Sequence, residues 1–125
     1  MDSESQAAAG LLAGLSRAAE MLAALRHPFV RSEPYVYLLP PAGVRTGIAF
    51  TLPDGRELRL EVSLRAEHGA FHVTGTADAE GEVLLGLPRR AIPGILDALA
   101  LFDDYAAELA GEAGRLVDGQ LDEIV

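Results

Sequence analysis

Two alternating runs on either side of Pro53-Asp54-Gly55 constrain this chain more than any other feature. Before the turn, Val44, Thr46, Ile48, Phe50 and Leu52 alternate with Arg45, Gly47, Ala49 and Thr51. After it, Leu58, Leu60, Val62 and Leu64 alternate with Glu57, Arg59, Glu61, Ser63 and Arg65. A period of two belongs to a strand with one apolar and one polar face. The turn residues suit a hairpin, because Pro sets φ and Gly supplies the left-handed position.

The register follows from the same pattern. A two-residue loop at Asp54-Gly55 sets Leu52 opposite Glu57 and mixes the two faces. A three-residue loop, Pro53 to Gly55, sets Phe50 opposite Leu58, Ile48 opposite Leu60 and Thr46 opposite Val62. A half-buried sheet requires the second arrangement, with Gly55 in the left-handed conformation.

Three further strands extend this hairpin. Residues 35–39, Tyr-Val-Tyr-Leu-Leu, form a short one that ends at Pro40-Pro41. Phe71, Val73 and Gly75 face inward on another, with His72, Thr74 and Thr76 outward. Val83, Leu85 and Leu87 are the inward set of the last. The turns between them are Glu67-His68-Gly69 and Asp78-Ala79-Glu80-Gly81. The expected result is one antiparallel meander of about five strands, covered on its apolar face only.

Helical period brackets the meander. Leu11, Leu15, Ala18, Leu22 and Leu25 mark a helix over residues 4–27, stopped by Pro28. Ile92, Ile95 or Leu96, Leu99, Phe102, Ala106, Leu109, Ala113, Leu116 or Val117, and Ile124 mark a second stripe over 92–124, with Pro93 suited to the first helical position. Gly111, Gly114 and Gly119 oppose one straight helix, so a long helix to about residue 110 with a shorter, weaker one after it is expected, within a fold whose C-terminal cover is one helix or a helix pair. The fold class is α+β, one domain spanning 1–125, with both helical segments on the same face of the sheet.

Charge narrows the classes of partner. The chain carries 19 acids and 10 basic side chains, a net charge of −9. That balance opposes a nucleic-acid backbone and an anionic membrane surface alike. Residues 91–125 hold 8 of the acids and only Arg115 against them. Cysteine is absent, so there is no disulfide or thiol chemistry. The acidic start Met1-Asp2-Ser3-Glu4 is unlike a secretory leader, so a cytoplasmic location is expected.

Several groups of residues invite chemistry. On the outward face, alternation places Ser63 opposite His72, with Glu61 diagonal to the histidine. A hydroxyl, a base and an orienting acid are the parts of a nucleophilic site. No nucleophile elbow frames Ser63, and a flat solvated face offers no oxyanion hole, so no catalytic set is assigned. His68, His72 and Glu67 fall on a turn and a strand, short of a converging ligand set, so neither metal nor cofactor is expected. Arg89 and Arg90, beside the start of the C-terminal helix, are the candidates for holding an anion. Asp97, Asp104, Glu108 and Glu112 gather on one side of that helix, either as a solvated face or as a docking surface.

The expected function is a non-enzymatic protein-binding module: an adaptor, chaperone or neutralising partner for a protein with a basic surface. One alternative is a small enzyme or anion-binding domain that uses the open sheet face or Arg89-Arg90. Another is a homo-oligomer, such as a homodimer, joined through the alanine-rich first helix.

Overall fold

A computed structural model describes residues 15 and 17–124. Helix α1 covers residues 17–23 and is followed by strands β1 (Arg31–Leu38), β2 (Gly43–Thr51), β3 (Glu57–Glu67), β4 (Ala70–Ala79) and β5 (Glu82–Ile92). Helix α2 (Ile95–Ile124) ends the chain. The strands lie in sequence order in one antiparallel sheet, and the two helices pack on one face of it. The α+β meander expected from the sequence is therefore the fold, and its five strands are those the alternation marks.

The central hairpin has the derived register. Phe50 pairs with Leu58, Ile48 with Leu60 and Thr46 with Val62, and Gly55 has a φ of 91°. Leu52 N–H donates to the Arg56 carbonyl at 2.8 Å, closing a loop of three residues. Arg56 returns its backbone N–H and its guanidinium to the Asp54 carboxylate, which holds that carboxyl below its usual range.

The next two turns are tighter than the sequence reading had them. His68 (φ 52°) and Gly69 (φ 76°) make a two-residue turn between Glu67 and Ala70. Glu80 (φ 50°) and Gly81 (φ 87°) do the same between Ala79 and Glu82. Two consecutive positive φ values give the primed turn that matches strand twist. Beyond the second turn, pairing of β4 with β5 slips between Ala77 and Asp78 and again between Val73 and Gly75. The first slip turns Val83 out to solvent, 61% exposed, although alternation had placed it inward. Leu85 and Leu87 keep to the covered side but are only half-buried.

The edge strand β1 begins at Arg31, four residues before the expected start. Pro34 within it is tolerated because only one side of an edge strand has a ladder to satisfy. Its Val36 and Leu38 lie on the covered side of the sheet but remain exposed, so the cover given by the described helices stops short of β1.

Of the ten residues most central to the apolar pattern, nine are buried: Leu15, Leu22, Ile48, Phe50, Leu60, Val62, Val73, Leu99 and Phe102, with Leu85 the exception. Ala18 and Leu22 supply the inward stripe of α1, and Leu15 ahead of it is buried as well. Most of the expected 4–27 helix before that stripe lies outside the described residues. Its end comes at residue 23, earlier than Pro28 requires. There Leu25 N–H turns back to the Leu22 carbonyl, and the Arg26 guanidinium takes the carbonyls of Ala23 and Leu25. Arg17 pairs with Asp103 at 2.8 Å and His27 Nε2 lies 2.9 Å from Asp118 Oδ1, so α1 and the segment after it are tied to α2 at two points.

Helix α2 corrects two expectations. It runs for 30 residues without a break through Gly111, Gly114 and Gly119. The reason is its buried stripe, which continues past the glycines with Ala113, Leu116, Val117 and Gln120 and outweighs their propensity cost. Pro93 also sits outside the helix, whose first carbonyl acceptor is Gly94, bonded by Ala98 N–H at 3.0 Å. Among the described residues no helix is long and apolar enough to cross a membrane.

Candidate functional site

With both helices on one side, the other face of the sheet is left uncovered by any described element. Its side chains are the polar partners in the alternation. Carboxylates gather at one end, near the β2–β3 and β4–β5 turns, where Glu57, Asp78 and Glu80 line a depression with Arg59. Arginines gather at the other end. There Arg45 from β2, Ser63, Arg65 and Glu67 from β3, His72 and Thr74 from β4 and Arg89 from β5 surround a trough of about 170 Å³.

Register explains the trough. Arg45 pairs with Ser63, Ser63 with Thr74 and Arg65 with His72, so these side chains occupy two adjacent rows across three strands. Arg89 reaches the same end from β5 and approaches Glu67 at 3.9 Å. Arg45 Nε lies 3.0 Å from Glu61 Oε2, an ion pair too poorly aligned to count as a hydrogen bond. Arg65 forms no ion pair with any described residue.

The Ser63–His72–Glu61 arrangement does not assemble. The two-residue turn shifts β4 so that Ser63 faces Thr74, and their hydroxyls share a short hydrogen bond. His72 faces Arg65 instead. Glu61 is engaged by Arg45 and by the Tyr35 hydroxyl, 3.4 Å away. Ser63 therefore lacks the histidine base that nucleophilic attack would need.

Arg89 and Arg90 are also separated. Both lie within β5 rather than at the helix start, because that strand continues to Ile92. Arg90 pairs with Val73 and so lies on the covered side of the sheet, while Arg89 lines the trough. The sequence reading missed Arg45 and Arg65 as members of this site. The signal was present, since the derived hairpin register already sets Arg45 beside Ser63. Among the described residues no three His, Cys, Asp or Glu side chains come together as a metal site, and His68 is paired loosely with Glu67 at 3.6 Å.

Between the two ends lies Tyr35. Its ring rests on Gly47, where an added Cβ would come within 2.6 Å of both the Tyr35 hydroxyl and the Leu60 carbonyl. Glycine is required there by close approach from two sides. Burial first, then the Glu61 carboxylate, pushes the Tyr35 phenol well above its ordinary value. In the unfolded chain the phenol loses its proton at about pH 10, whereas in the folded protein it keeps it. From about pH 10 upward the unfolded state therefore binds fewer protons, and stability falls as pH rises. Tyr35→Phe removes this component. Urea midpoints at neutral and strongly alkaline pH should show a smaller alkaline loss in the variant than in the wild type, and equal losses would contradict this account.

On α2, Asp97, Asp104 and Glu108 are exposed and Glu112 is half-buried. Spacings of seven, four and four put them on one side of the helix, a ridge about 22 Å long. Arg115 pairs with Glu112, whereas Asp97, Asp104 and Glu108 have no ion-pair partner among the described residues. Comparison of the chain with protein-family models, curated proteins and solved structures finds no match.

Proposed function

We propose that this chain is a non-enzymatic protein-binding module of the cytoplasm that docks a basic partner on the acidic ridge of α2. The observation that carries this reading is the ridge: Asp97, Asp104 and Glu108 stand exposed on a helix whose opposite side is buried against the sheet. Carboxylates four residues apart repel one another, so their grouping costs the free domain a few tenths of a kcal/mol per pair. A basic surface relieves that repulsion and gains long-range steering in return. The unbroken helix holds the ridge straight, so little ordering cost falls on binding.

The test is a paired replacement, Asp104→Asn with Glu108→Gln. Folding should be unchanged or improved by a few tenths of a kcal/mol, read from the urea midpoint. Affinity capture from the native cell, quantified by mass spectrometry at low and high salt, should recover a basic protein with the wild type. Capture with the variant should be weaker, and association kinetics should lose much of their salt dependence. Equal recovery and equal salt slopes for the two proteins would reject the ridge as the docking surface.

A further inference from the structure

We propose that the arginine trough at the basic end of the open sheet face is a binding site for a phosphate monoester group. It is independent of the acidic ridge, which lies on the other side of the molecule. Its three guanidinium-bearing residues come from three strands: Arg45 from β2, Arg65 from β3 and Arg89 from β5. They meet the trough from different sides. Ser63, Thr74 and His72 supply further polar atoms between them.

The chemistry selects among anions. A carboxylate is planar, and a single guanidinium fork satisfies it. The two carboxylates near the trough leave donors unused: Glu61 engages Arg45 through one nitrogen, and Glu67 comes no nearer to Arg89 than 3.9 Å. A phosphate monoester carries three terminal oxygens and close to two negative charges at neutral pH, so it can accept from cations arriving on several sides at once. The hydroxyls of Ser63 and Thr74 fit the same role. One donates to the other, which leaves the acceptor's own hydrogen available to the ligand. His72 brings its imidazole beside Arg65, its cross-strand neighbour.

Size supports a headgroup site. At about 170 Å³ the trough is smaller than the pockets that engulf whole organic ligands, about 300 Å³ and upward. The phosphate would sit inside and the body it is attached to would lie outside, next to Tyr37, which pairs with Arg45 and is 57% exposed. The chain's net charge of −9 repels anions at long range, so recognition must rest on these short contacts.

The experiment is a ¹H–¹⁵N NMR titration of the full chain with inorganic phosphate, phenyl phosphate, a phosphoserine-containing peptide and acetate, at moderate ionic strength. The phosphates should produce saturable shifts centred on Ser63, Arg65, His72 and Thr74, with acetate weaker by about tenfold or more. Arg65→Gln should weaken phosphate binding by about tenfold, as loss of a charge-assisted contact does. Arg90→Gln, on the covered side of the sheet, should leave it unchanged. Tighter binding of the peptide than of phenyl phosphate would place the natural group on a protein, and the reverse order would place it on a small molecule; either upholds the site. Absence of saturable shifts, acetate binding as tightly as phosphate, or equal losses in the two arginine variants would overturn it.

Discussion

Phe102→Ala is expected to destabilise the protein by about 3–5 kcal/mol, the range for removing a buried aromatic side chain. Phe102 is fully buried on the inward stripe of α2, where that helix lies over β3 and β4. Its surroundings have little freedom to collapse into the space. Three residues on, Tyr105 packs over Gly75, where an added Cβ would stand 3.3 Å from the ring. The Tyr105 hydroxyl then donates to the Pro88 carbonyl, keying the helix to β5. With the helix held in position, the cavity stays open and both transfer and packing energy are lost. That is a large fraction of the about 5–15 kcal/mol by which folded domains are stable. Urea denaturation followed by far-ultraviolet circular dichroism measures this directly. Leu96→Ala is the control: Leu96 is 77% exposed and should be nearly neutral.

The second large effect has the opposite sign. Replacing Gly111, Gly114 and Gly119 together by alanine should stabilise the protein by about 2–3 kcal/mol, given up to ~1 kcal/mol for each helical glycine. All three are exposed on α2, and an added Cβ at any of them meets nothing within 4 Å. No packing contact opposes the change, and the unfolded chain loses backbone freedom. The melting temperature should rise by roughly 6–15 °C. A fall on thermal unfolding would show that these positions leave the helical conformation in solution.

The same three glycines mark where sequence reasoning reached its limit. Their propensity cost is local and visible, so a break near residue 110 follows from it. The burial of Ala113, Leu116, Val117 and Gln120 is tertiary and decides the outcome. The β2–β3 register was legible because alternation on both sides of one turn admits a single alignment. The β3–β4 register was not, because a slip of two residues keeps every side chain on its own face, so alternation fits Ser63 opposite His72 as well as Ser63 opposite Thr74. That slip of two residues moved the partner of Ser63 from His72 to Thr74 and dissolved the Ser–His–Glu grouping. It also concealed the trough, whose members stand on four strands and become neighbours only once every register is fixed. The slips along β5 obey no pattern in the sequence, and they govern both the exposure of Val83 and which of Arg89 and Arg90 faces the trough.

Consecutive strand order has a consequence during synthesis. Each strand pairs with the one made just before it, so the sheet can grow by successive hairpins as the chain leaves the ribosome. The element that covers most of its apolar face, α2, emerges after all five strands. Until residues 95–124 are available, Leu58, Leu60, Val62 and Val73 have a sheet to belong to but little to bury them. The nascent chain therefore passes through a stage in which its stickiest surface is fully formed and still waiting for its cover.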